Sequence, residues 1–127
     1  MVCLETTRHI LLQCKFLGHI RSRLFLLCDS YQYDVNPVTQ SFTNRRVFAY
    51  SDSGVPDGIQ LDTNGNVYSG CGDGTQVWNS EGTLIGKFFL NSTSAEMIFT
   101  KSGLLILAEE KIYLANIQAQ GIDLAAY

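Results

Sequence analysis

The stretch GVPDGIQLDTNGNVYSGCGDGTQVWN, residues 54–79, decides the fold. It reads as three short strands joined by two tight turns. Pro56 fixes its own φ and biases Val55 toward an extended backbone. Gly58 permits a sharp bend directly after Asp57. Ile59 and Leu61 alternate with Gln60 and Asp62, the period-2 pattern of a strand. Asn64-Gly65 suits a two-residue hairpin turn, because both residue types tolerate positive φ. Asn66, Val67, Tyr68 and Ser69 return as the paired strand. Gly70, Gly72 and Gly74 crowd the next turn, and residues 75–78 form the third strand. Asp57 thus stands at the mouth of a β-meander, just ahead of its innermost strand.

Outward from this stretch the texture stays β. Upstream, residues 24–28 are an apolar run, residues 31–35 alternate large and polar side chains, and residues 45–50 form another strand. The Asn36-Pro37 pair breaks the chain between the last two. Downstream, turns at Ser80-Glu81-Gly82 and Lys101-Ser102-Gly103 separate strands over 83–90, 94–100, 104–108 and 111–116. The tail over 118–127 is weakly specified. No convincing helix occurs after residue 23.

An internal repeat organises these strands. Residues 61–68, LDTNGNVY, align with residues 99–106, FTKSGLLI, and residues 76–79 align with 111–114 at a slightly shorter shift. Upstream, Gln32-Tyr33-Asp34 before Asn36-Pro37 echoes Val77-Trp78-Asn79 before Glu81-Gly82. Four short strands in about 40–45 residues are the signature of a β-propeller blade. At that repeat length the chain holds about two blades, whereas ring closure takes roughly four to eight. The expected architecture is an all-β partial propeller, with blade faces left open for another chain or for self-association.

Composition sets the outer limits. The 127 residues suit one domain, and 46% hydrophobic with 17% charged residues describes a globular chain rather than a disordered one. A net charge of −3 leaves no footprint for nucleic acid. No apolar run reaches the roughly 18 residues a membrane span needs, and no signal-peptide core is present. Cys3, Cys14, Cys28 and Cys71, with His9 and His19, match no zinc spacing. Free thiols in a reducing, cytoplasmic setting are the expectation.

Residues 1–23 differ in character from the rest of the chain. They carry both histidines, two cysteines and three of the five arginines. Ile10, Cys14, Leu17 and Ile20 can be drawn as a helical stripe. The expectation is an N-terminal extension outside the fold, with blades over 24–117 and a tail over 118–127.

Residues 56–78, PDGIQLDTNGNVYSGCGDGTQVW, resemble a late-blade motif of the senescence-marker-protein/gluconolactonase family, whose members include regucalcin-like lactonases. The fungal-type members are the most similar, and the resemblance extends over about two-thirds of the chain. It implies a six-bladed propeller with a divalent metal in the central channel, Ca²⁺ first and Zn²⁺ as the alternative. It also implies a metal-dependent hydrolysis of sugar-type lactones. The Asp of the family's Pro-Asp-Gly motif falls on Asp57, as metal ligand and catalytic base. The family's Glu and Asn ligands come from earlier blades, and residues 1–30 hold no comparable segment. Glu96 lines the channel if the repeat register holds, and is otherwise a solvated loop residue. Asp62, Asn64 and Asp73 read as turn formers, Trp78 and Tyr113 as packing between blades.

Three readings are open. The chain is the C-terminal part of a lactonase and inactive alone, or a non-catalytic propeller module, or a truncated product whose first 23 residues are foreign to the fold. The first requires metal ligands upstream of this chain. The second requires an apolar blade face that a partner covers.

Overall fold

The computed structural model describes residues 29–122 in full and, within residues 1–28, the backbone of four short strands. Those four are β1 (Leu4–Thr6), β2 (His9–Gln13), β3 (Leu17–Ile20) and β4 (Arg23–Leu26). After them come β5 (Asp29–Val35), β6 (Phe42–Tyr50), β7 (Ile59–Leu61), β8 (Val67–Cys71) and β9 (Gly74–Trp78). The last four are β10 (Leu84–Phe89), β11 (Ser94–Thr100), β12 (Gly103–Ala108) and β13 (Ile112–Ala115). No helix occurs among the described residues.

All strand pairing is antiparallel. One sheet runs β1-β2-β5-β6, the next β10-β9-β8-β7, the third β11-β12-β13, and β3 pairs β4 as a separate hairpin. The innermost strands stand beside one another, β1 against β7 and β7 against β11. This is the wedge of a partial propeller. The sequence repeat maps onto it strand by strand: β7 and β8 correspond to β11 and β12, β9 to β13, and the β5–β6 hairpin to β9–β10.

The helical stripe drawn through residues 10–20 is not formed, and this part of the expectation is corrected. Ile10 lies opposite Tyr33, and Leu11 opposite Gln32, in the β2–β5 ladder, while Leu17 and Ile20 belong to the β3–β4 hairpin. Short apolar segments carry no decisive periodicity, and a strand edge such as β5 captures them through backbone hydrogen bonds. Cys3 and Cys14 lie outside the described residues.

The core sits between sheets. Tyr68 and Val77 of the second sheet pack with Met97, Leu104 and Ile106 of the third, and the Tyr68 ring meets Phe99 edge-on at 5.0 Å between centroids. On the other side, Ala49 of β6 packs with Cys71 and Trp78, and Phe48 packs on Ile59, Leu61 and Val67. The second sheet is therefore covered on both faces. That is why β8 and β9 are buried at every position instead of alternating. Each large side chain so buried contributes roughly 1.5–3 kcal/mol.

The turn after β7 differs in kind from the two-residue hairpin that Asn64-Gly65 suggests. Only Gly65 of the pair has positive φ, at 80°. Its N–H donates to Asp62 O at 3.0 Å, and Asp62 N–H donates to Asn66 O at 3.0 Å. The Asp62 side chain, 1% exposed, imposes this longer turn. Its Oδ1 accepts the N–H groups of Asn64 and Asn66, both at 2.9 Å. Its Oδ2 accepts Asn66 Nδ2 at 2.8 Å and the Tyr68 hydroxyl at 3.2 Å. An Asp that caps its own turn in this way outcompetes the tighter alternative.

Part of the weakly specified tail is also ordered against this turn. Thr63 N–H donates to Gln120 O at 2.8 Å, Ile122 N–H donates to Leu61 O at 3.2 Å, and Asp62 bridges Gly121.

Candidate functional site

Asp57 sits where the sequence places it, in the loop that enters β7, and it is exposed to solvent. Its neighbours are held firmly. Asp57 N–H donates to Gly70 O at 2.8 Å, Gly70 N–H returns to Gly58 O at 3.1 Å, and Gly58 N–H reaches Ala95 O at 2.7 Å. Gly58 O also accepts the Ser69 hydroxyl at 2.9 Å. The Pro-Asp-Gly turn is thus stitched to β8 in its own sheet and to β11 in the next.

Glu96 joins it there. A side chain on Gly58 would collide with the Glu96 carboxylate and with Ala95 O, so the glycine is what admits Glu96 to this position. Glu96 is half-buried, and its Oε1 accepts the N–H of Met97 at 2.9 Å. Two adjacent innermost strands therefore each bring a carboxylate to the neighbourhood of Gly58, Asp57 just before β7 and Glu96 near the start of β11. The repeat register alone pointed to Glu96. The Gly58–Ala95 bond that fixes it had no signal in the sequence.

Beside this mouth lies a second polar group. Lys87 Nζ bridges Asp52 and Asp73, with 2.8 Å to an oxygen of each. Gln76, fully buried, donates through Nε2 to Asp52 Oδ1. Partial burial pushes the Asp73 carboxyl up, but the hydrogen bond and charge of Lys87 outweigh it and hold it below the ordinary value of 3.8. The two carboxylates raise Lys87 in turn, Asp52 most. Asp73 is a turn residue as expected. Its pairing with Lys87, across the β9–β10 hairpin, went unread in the sequence.

The remaining candidates are structural. Trp78 is 2% exposed, and Tyr113 packs against the core between the second and third sheets. Burial raises the Tyr68 hydroxyl to about 12, with the Asp62 charge and hydrogen bond adding to it. Cys71 is a free thiol that burial raises to about 11, which makes it inert as a nucleophile. Among the described residues, no three His, Cys, Asp or Glu side chains gather as a metal-binding set. Asp57 and Glu96 alone fall short of the roughly six to eight oxygens that Ca²⁺ takes.

The match to known proteins accords with this geometry. The SMP-30/Gluconolactonase/LRE-like region matches residues 23–120. This chain belongs to that family. The match begins at the residue where β4 starts and leaves the first 22 residues outside it. A lactonohydrolase, OryH of Aspergillus oryzae, is 32% identical over 69 residues, which are 54% of this chain and 15% of that protein. A gluconolactonase of Xanthomonas campestris superposes with a TM-score of 0.61 at 26% identity, over 66% of this chain and 28% of that one. A structural-genomics structure assigned to the gluconolactonases superposes with a TM-score of 0.70 at 19% identity, over 76% of this chain and 34% of its own. A luciferin-regenerating enzyme superposes with a TM-score of 0.62 at 14% identity, over 90% and 39%. The chain thus spans less than two-fifths of each of these solved structures.

Proposed function

We propose that this chain carries part of the active site of a lactone hydrolase acting on sugar-type lactones, with Asp57 as its catalytic residue. The supporting observation is the mouth itself. Asp57 is a solvent-facing carboxylate on a backbone hydrogen-bonded to two sheets, and such rigidity is what positions a general base. Hydrolysis of a lactone adds water to the ring carbonyl and cleaves the ring C–O bond. The Asp57 carboxylate takes the proton of the attacking water and returns it to the ring oxygen as the C–O bond breaks, which releases the hydroxy acid, while Glu96 lines the entrance.

The divalent metal implied by the family does not fit the described residues of a single chain, among which the mouth gathers two carboxylates. In this reading the metal, Ca²⁺ before Zn²⁺, belongs to a completed ring, and the chain alone neither holds it nor turns over a lactone. In the same reading the chain works in a reducing, cytoplasmic setting.

A chimera tests the assignment. The segment of the Xanthomonas gluconolactonase that superposes on this chain is replaced by the corresponding residues of this chain. Lactone hydrolysis measured by pH-stat should survive the exchange, and Asp57→Asn within the chimera should lower kcat by about 10²–10⁴-fold. An Asp57→Asn chimera as active as its parent would remove Asp57 from the chemistry.

A further inference from the structure

Glu96 reaches the mouth against the alternation of its own strand. Along β11, Met97 is buried against the second sheet, while Ile98 is 51% exposed on the opposite face. Strict alternation would put Glu96 on the face of Ile98. The register of β11 with β12 shifts between Ser94 and Glu96, so that Ser94 lies opposite Ala108 and Glu96 opposite Leu107. A bulge of this kind re-aims a side chain beside a site. The carboxylate accordingly occupies the space that a side chain at position 58 would fill, next to the residue that follows Asp57.

Two local irregularities, a bulge and a glycine, thus hold one carboxylate at the mouth, and the fold gains little from it. Glu96 Oε1 accepts the N–H of the next residue, Met97, at 2.9 Å. No ion pair engages Glu96 among the described residues. Departures from local rules that bring the fold so little are where function is expected. The polar group beside the mouth has the same sign of charge, since Asp52 and Asp73 share the single ammonium of Lys87.

We propose that Glu96 is a specificity-determining residue, a fixed negative charge at the Asp57 mouth that admits neutral lactones and turns away those carrying a phosphate. The inference rests on the lactonase reading and narrows the class of substrate within it. Its size follows from Coulomb repulsion. A carboxylate and a dianionic phosphate about 8 Å apart, in an effective dielectric of roughly 40–80, give a selection of about 5–30-fold against the phosphate.

The chimera with the Xanthomonas gluconolactonase measures that selection. Its kcat/KM is determined for D-glucono-δ-lactone and for the 6-phosphate of the same lactone at low ionic strength. Glu96→Gln keeps the shape of the side chain and an oxygen for the Met97 N–H. It should raise the ratio of phosphate to neutral kcat/KM by about 5–30-fold. In about 0.5 M salt the gain should fall below about threefold, because screening acts on a charge and not on a structural role. An unchanged ratio overturns the proposal, and it leaves the lactonase reading in place as long as Asp57→Asn silences the same chimera. A chimera without lactonase activity overturns that reading instead. The charge is then read on the full chain, from the relaxation of the Gly58 and Met97 amides by a neutral and by an anionic gadolinium chelate. Glu96→Gln should raise the anionic effect relative to the neutral one by about twofold. Without that rise the proposal fails whatever the chimera does.

Discussion

The second and third sheets are copies of one repeat in different positions. In the second, β8 and β9 are buried at every residue, while in the third, β13 alternates between exposed and half-buried. The strand pattern is the same and the coverage is not. A blade's stability therefore comes from its neighbours more than from its own ladder of hydrogen bonds. Corresponding positions in the two sheets should then respond unequally to the same kind of change.

The widest gap is expected at Trp78 and its repeat counterpart Tyr113. Trp78→Ala removes a side chain wedged between two sheets and should destabilise by about 3–5 kcal/mol, while Tyr113→Ala, half-covered, should cost about 1–2 kcal/mol. Urea unfolding of both variants measures the difference, and equal losses would break the comparison. The turns come next. Asp62→Ala leaves four donors without their acceptor and should cost about 2–3 kcal/mol. Its counterpart Thr100 donates to Gly103 O at 2.9 Å and accepts from Ser102 N at 3.2 Å, so Thr100→Ala should cost about 1 kcal/mol.

Smaller effects depend on pH. Tyr68 is raised in the folded state from 10.0 to about 12. The stability it contributes is complete below pH 10 and is lost as pH rises through about 12. Tyr68→Phe should cost about 1 kcal/mol at neutral pH and should show a shallower loss between those limits in alkaline melts. Lys87→Met should have the smallest effect, under about 1 kcal/mol, because Asp52 is 57% exposed and water screens its pair. Asp73 is lowered, so its share is present above 3.8 and lost as pH falls through its folded value. Wild type and Lys87→Met should converge in acid. A difference that grows as the pH falls would contradict the pairing.

These contrasts also mark what could be read from the residues. The strands of the second sheet, the Asp57 turn and the packing roles of Trp78 and Tyr113 were legible because each is written within a few neighbouring residues. Gly65 was legible as a turn, but not the longer loop that Asp62 imposes, since that depends on where a buried carboxylate points. The bridge from Lys87 to Asp52 joins positions far apart in the chain and has no local signature. The apolar stripe over residues 10–20 misled for the same reason. Strand pairing, with β5 for residues 9–13 and with β4 for residues 17–20, and not periodicity, settles that segment.

The bonds from Thr63 to Gln120 and from Ile122 to Leu61 give the molecule a clasp. They tie the chain beyond β13 back to the turn of the second sheet, so the third sheet lies inside a closed loop of backbone. A pull on the C-terminus is then borne first by those two bonds, and β13 cannot peel away until they part. The clasp joins residues distant in sequence, so closing it costs more loop entropy than closing the hairpins of the third sheet. Its release during unfolding should show as the joint loss of exchange protection at the Thr63 and Ile122 amides.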